Sequence, residues 1–252
     1  SWGWRIPFLL SSVLVLLGLW IRKDIDETPD FKKVKQSGQV AKAPLRDTLK
    51  HHWREVLIAA GLKVVETAPF YIFSTFVVSY ATTTLTYQKS QALEAVTLGA
   101  LVATIMIPLM GLLSDKVGRQ RMYAISVFVL GLFIVPWFML LNTGNTWGIV
   151  LATVIAFGVL WAPVTAVLGT LCSEIFSANV RYTGITLGYQ LGAALAGGTA
   201  PLIATGLLAK YDGDWVPVAW YLAVTVTISL IAIFCASRVK RATLIQAQPE
   251  RL

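Results

Sequence analysis

Long uninterrupted apolar runs, separated by short charged stretches, dominate the chain. They fall at about 6–21, 56–83, 95–113, 122–141, 147–171, 184–209 and 217–237. Most approach or exceed the roughly 20 residues a helix needs to cross a bilayer. The runs are continuous rather than alternating, which excludes a membrane β-barrel. The pattern therefore predicts an all-α integral membrane protein with seven transmembrane helices. Trp2, Trp4, Trp20, Trp53, Trp147 and Trp215 sit at run ends, where interfacial anchors belong. Pro69, Pro108 and Pro163 lie inside runs and predict kinks.

Composition agrees with the pattern. The 252 residues are 56% hydrophobic and 13% charged, against about 25% charged in a soluble globular chain. A net charge of +8 would suit nucleic acid, but the placement of the basic residues excludes that partner. They lie between apolar runs: Arg22, Lys23, Lys32, Lys33, Lys35, Lys42, Arg46, Lys50 and Arg54 in 22–55, then Lys116, Arg119 and Arg121, then Arg181, then Arg238, Lys240, Arg241 and Arg251. The other side holds Arg5, Lys89 and Lys210. The positive-inside rule makes the richer side cytoplasmic, with the carboxy terminus there. Cys172 and Cys235 read as packing thiols, and their spacing to His51 and His52 matches no metal site. No phosphate-cradling loop and no G-x-S-x-G or H-E-x-x-H motif occurs. The expectation is a protein that is not an enzyme and has no cofactor.

Two charges inside the second run carry the most chemical information. Lys63 and Glu66 lie three apart, so they share a helix face. A charge in hydrocarbon costs roughly 2.5–3.5 kcal/mol or more, and is kept only against a partner or a watery cavity. At about 1.5 Å per residue from Glu55, Glu66 falls near the middle of the bilayer core. A carboxylate at that depth suits binding a proton or a polar solute, and a mutually neutralising pair that fixes packing remains the alternative. Tyr71 and Ser74 continue roughly the same face. Trp161, before the kinking Ala162-Pro163, and Gln190, in the glycine-rich run 184–209, are further cavity candidates. The spacing Gly184-x-x-x-Gly188-x-x-x-Gly192 predicts a small face for close helix contact.

One loop is more specific than its charge. Gly111-Leu112-Leu113-Ser114-Asp115-Lys116-Val117-Gly118-Arg119-Gln120-Arg121 follows a G-x-x-x-D-K-x-G-R-x-R pattern in the tight connection between two runs. Gly111 would let helices approach and Gly118 would permit the turn. A second motif, Ser173-Glu174-Ile175-Phe176 then Arg181-Tyr182-Thr183-Gly184, joins the fifth and sixth runs. A third covers Gly3-Trp4-Arg5-Ile6-Pro7-Phe8 and Glu27-Thr28-Pro29-Asp30-Phe31. With these motifs the chain resembles the major facilitator superfamily, and within it the metabolite:proton symporters. The resemblance spans essentially the whole chain. It implies that residues 1–21 are helix 6 of the parent fold and 22–55 its basic cytoplasmic central loop. Residues 56–237 would be the carboxy-terminal six-helix bundle, and 238–252 a cytoplasmic tail. Helices 1–5 would be absent, and the missing amino-terminal half of the transporter would be a partner, together with the lipid bilayer and a small-molecule solute.

The resemblance implies proton-gradient-driven secondary transport of a carboxylate, osmolyte or similar metabolite across a bacterial inner membrane, by alternating access. Lys63, Glu66, Tyr71, Trp161 and Gln190 would then form the solute and proton site. Asp115, Lys116, Arg119, Arg121, Glu174 and Arg181 would form the cytoplasmic gate. A non-transporting membrane remnant, or a half-transporter subunit needing a separate amino-terminal half, carries the same signature.

Overall fold

The computed structural model describes residues 2–24, 44–177 and 180–246. The chain divides into two units, Ser1–Lys42 and Ala43–Leu252. In the first, a short 3-10 turn, Gly3–Arg5, leads into α1, Ile6–Asp24. Its apolar stretch, Phe8–Ile21, is shorter than the spans of the second unit. The Glu27–Phe31 motif lies outside the described residues.

The second unit opens with a short amphipathic helix, α2, Pro44–His51, so the central loop is helical close to its end. Six helices long and apolar enough to cross a membrane follow: α3 Trp53–Thr83, α4 Lys89–Val117, α5 Arg119–Leu141, α6 Thr146–Ser173, α7 Arg181–Lys210, and Val216–Arg238 within α8. All exceed the expected runs, most by two to four residues and α4 by ten, because polar ends extend the helix past its apolar centre. The last helix is as long past its run as α4. Helix α8 runs unbroken from Val216 to Gln246, so most of the expected tail continues the last span.

Helix α3 is the organising element. It packs against α8, against both parts of α7 and against α6, while α6 in turn packs on α4 and α5. The core is aromatic at the end remote from the Asp115–Arg119 loop. There Trp137 meets Phe73 edge-on at 5.0 Å and Phe138 at 4.6 Å. Trp215 stacks on Phe138 at 4.9 Å. It is therefore a packing residue, whereas Trp2, Trp20, Trp53 and Trp147 are exposed as anchors would be.

The glycines of α7 allow its contact with α3. A Cβ at Gly188 would lie 2.6 Å from that of Ala59, and one at Gly192 would lie 2.5 Å from the Ala60 carbonyl oxygen. A Cβ at Gly197 would sit 2.3 Å from Thr67 Cγ2. Without a strong hydrophobic drive between helices in lipid, such backbone proximity is what dispersion packing needs. Gly111 does not do what its motif suggested, since nothing lies within 4 Å of a Cβ built there.

Three spans widen locally into π-helix: Ile72–Phe76 in α3, Val154–Leu160 in α6 and Ala193–Gly197 in α7. A proline ring clashes with the carbonyl four residues earlier. For Pro163 and Pro201 those residues are Val159 and Gly197, both inside the widened segments. Pro69 lies just before the segment Ile72–Phe76. Pro108, expected to interrupt its helix, lies instead inside the continuous α4.

Candidate functional site

The turn of α3 at residues 63–67 gathers the charged pair and its partners. Lys63 and Glu66 form an ion pair through Nζ and Oε2. Glu66 Oε2 also accepts from the Thr67 hydroxyl at 2.9 Å, and Oε1 from the Thr165 hydroxyl of α6 at 3.2 Å. Trp161 of α6 donates its indole N–H to the Glu66 main-chain carbonyl at 2.7 Å. The Lys63 ammonium lies 4.9 Å from the centre of the Tyr189 ring of α7, within cation–π range. The two charged side chains keep 18% and 13% of their surface accessible. They are thus neither sealed in the core nor freely solvated.

Local sequence explains the assembly. Lys63, Glu66, Thr67 and Phe70 follow i, i+3, i+4, i+7 spacing on one face. The α7 glycines bring Tyr189 close enough to lie beside Lys63. Phe70, Phe157 and Trp161 build an apolar wall beside the pair, with ring centres 5.2 to 5.6 Å apart. A low-dielectric wall strengthens every polar contact beside it.

The other expected site residues divide. Tyr71 sits one step away, its ring edge-on to Phe70 at 5.4 Å. Gln190 points to the exposed side of α7, and its neighbour Tyr189 is the residue that reaches the pair. Ser74 hydrogen-bonds its own helix at the Phe70 carbonyl. Thr67, Thr165 and Tyr189 were not singled out by sequence reasoning. Their signal was available, since hydroxyls in apolar spans are the ordinary glue between membrane helices.

At the opposite end, Gly118 alone joins α4 to α5. Its φ of +95° and ψ of 126° are values that only glycine adopts without strain. Reversal on one residue puts Asp115 and Arg119 within reach. Arg119 Nη2 donates to Asp115 at 3.0 Å and Nη1 to Glu174 at 2.6 Å. One guanidinium thus ties the α4–α5 loop to the end of α6. Exposed pairs of this kind are worth about 0–1 kcal/mol each, weak enough to open and close. Together with Lys116 and Arg121 these residues line an open pocket of about 530 Å³. Arg181 donates to the Phe176 carbonyl at 3.4 Å.

Comparison with known proteins agrees with this architecture. The sequence profile of the Major Facilitator Superfamily matches residues 1–196 and, in an overlapping range, 64–251. The chain belongs to that family and is an integral membrane protein. The shikimate transporter of Escherichia coli (strain K12) is 31% identical over 96% of this chain and 56% of its own length. The inner membrane metabolite transport protein YhjE of the same organism is 30% identical over 97% of this chain and 56% of its own. The glycine betaine/proline/ectoine/pipecolic acid transporter OusA of Dickeya dadantii (strain 3937) is 28% identical over 92% and 47%. The chain therefore spans about half the length of these relatives. No solved structure matches it.

Proposed function

We infer that this chain supplies one helix bundle of a secondary transporter for a small metabolite, with the Lys63–Glu66 turn as its solute and proton site. The observation that carries this reading is the ion pair itself. Two charges are held near mid-span, partly accessible, with hydroxyl donors on one carboxylate oxygen each and an aromatic ring against the ammonium. A carboxylate with protein donors on both oxygens can exchange them for a proton. An ammonium beside it can bind the carboxylate of a solute such as a hydroxy acid or a betaine. The proton gradient is the driving force in this reading, and no cofactor takes part.

Alternating access needs a second bundle, so the reading includes an amino-terminal half like the part of the relatives that this chain does not match. The gate is the Arg119 fork with Asp115 and Glu174, on the cytoplasmic side of a bacterial inner membrane. Lys116, Arg121 and Arg181 add positive charge around it. A reporter active only in the cytoplasm should work when fused after Leu252 and fail at Asn145, and the reverse would undo the gate assignment. The function itself is tested in vesicles holding this chain with an amino-terminal half. Labelled shikimate, proline and glycine betaine are offered with and without an inward proton gradient. Accumulation of at least one of them only with the gradient is the expected result, whereas no uptake of any metabolite favours a non-transporting membrane protein.

A further inference from the structure

The turn that carries the charged pair is held through its backbone by neighbouring helices. Ser229 of α8 is fully buried. Its hydroxyl donates to the Gly61 carbonyl at 2.6 Å and accepts from the Val65 N–H at 3.1 Å. It therefore touches both ends of the helical turn between them. Tyr123 of α5, also fully buried, donates to the Leu62 carbonyl at 2.5 Å. Trp161 of α6 adds the bond to the Glu66 carbonyl already described. Three helices thus converge on residues 61–66.

The close approach of α8 and the position of its hydroxyl explain this convergence. Gly61 admits α8, since a Cβ there would lie 2.8 Å from that of Ala232. Ser229 sits on the Gly61 carbonyl and the Val65 N–H, the two groups that a regular α-helix pairs with each other. Inside a bilayer, a backbone group that leaves the helical ladder must be satisfied from elsewhere in the protein. The residues so held, Leu62 and Val65, directly precede Lys63 and Glu66.

We propose that Ser229 and Tyr123 are positioning residues: through the backbone of Gly61, Leu62 and Val65 they fix the direction in which Lys63 and Glu66 project. Neither hydroxyl bonds to the charged pair. Their effect on function rests on the reading of that pair as the solute and proton site, whereas their effect on the turn does not.

Ser229→Ala removes the bridging hydroxyl at nearly constant volume, and Tyr123→Phe removes one hydroxyl while keeping the ring that fills the core. The purified chain in lipid nanodiscs gives two readouts. The first is amide hydrogen exchange of peptides covering 61–66, expected to rise about five-fold, the effect of one lost hydrogen bond. The second is the infrared band of the Glu66 carboxyl, assigned by its loss in Glu66→Gln and expected to shift in frequency. Ser229→Thr, which keeps a hydroxyl, should leave both near wild type. Should Ser229→Ala fail to fold, Tyr123→Phe carries the test. Unchanged exchange and an unchanged band in a folded hydroxyl-lacking variant overturn the proposal. Moved exchange and band, with metabolite uptake indifferent to Lys63 and Glu66, defeat the reading of the pair as the solute and proton site and leave the positioning role standing.

Discussion

Lys63→Ala is expected to reduce metabolite uptake at least ten-fold and to destabilise the bundle as well. The substitution leaves Glu66 in a low-dielectric site with, among the described residues, the Thr67 and Thr165 hydroxyls as donors. Breaking a buried ion pair by removing one partner costs about 3–5 kcal/mol, because the other charge stays behind uncompensated. The double variant Lys63→Ala/Glu66→Gln removes both charges and should recover much of the thermal stability while remaining inactive in uptake. That separation is informative. A packing device would be repaired by neutralising both partners, whereas a binding site would not. Melting in detergent and uptake in vesicles, measured on the same four proteins of the cycle, give the answer. Recovery of both stability and uptake in the double variant would make the pair structural.

Gly192→Leu is expected to leave little folded protein. A Cβ at this position would meet the Ala60 carbonyl oxygen at 2.5 Å and Lys63 Cβ at 2.8 Å. Backbone cannot yield as a flexible side-chain end does, so α7 must move off α3. Overpacking a tight contact costs typically about 1–3 kcal/mol even where neighbours can shift. Here they cannot, and the displaced helix carries Tyr189 away from Lys63. Gly206 on the same helix is the control, because nothing lies within 4 Å of a Cβ there. Gly206→Leu should elute as wild type in size-exclusion chromatography, while Gly192→Leu should aggregate. Equal behaviour of the two would mean that α7 does not pack on α3 through Gly192.

What the sequence made legible follows from the physics of each signal. The six long spans are written in hydropathy, since a bilayer demands a continuous apolar run. The ion pair is legible because charge in hydrocarbon is rare and must be explained. The four-residue glycine spacing on α7 is legible because backbone approach has no other cheap solution. Directions around a helix are harder to read. Gln190 and Tyr189 differ by one position, about 100° of rotation, and only packing decides which reaches Lys63. The widened turns beside Pro69, Pro163 and Pro201 leave no mark in composition, and Pro108 and Pro136 sit inside helices without any. Gly111 belongs to a recognisable motif yet meets nothing on this bundle. Ser229 and Tyr123 were passed over for a similar reason. A hydroxyl in an apolar run has no visible target until the helices are placed.

In the proposed cycle Glu66 takes up and releases the coupled proton. Glu66→Gln fixes that position in a neutral form of nearly the same shape. The decisive measurement compares two modes in one vesicle preparation containing the chain and an amino-terminal half. One is accumulation of labelled metabolite under an imposed pH gradient, and the other is exchange of internal for external metabolite with no gradient. Glu66→Gln is expected to lose accumulation and keep exchange. A Glu66→Gln protein that concentrates metabolite against its gradient as the wild type does would contradict it.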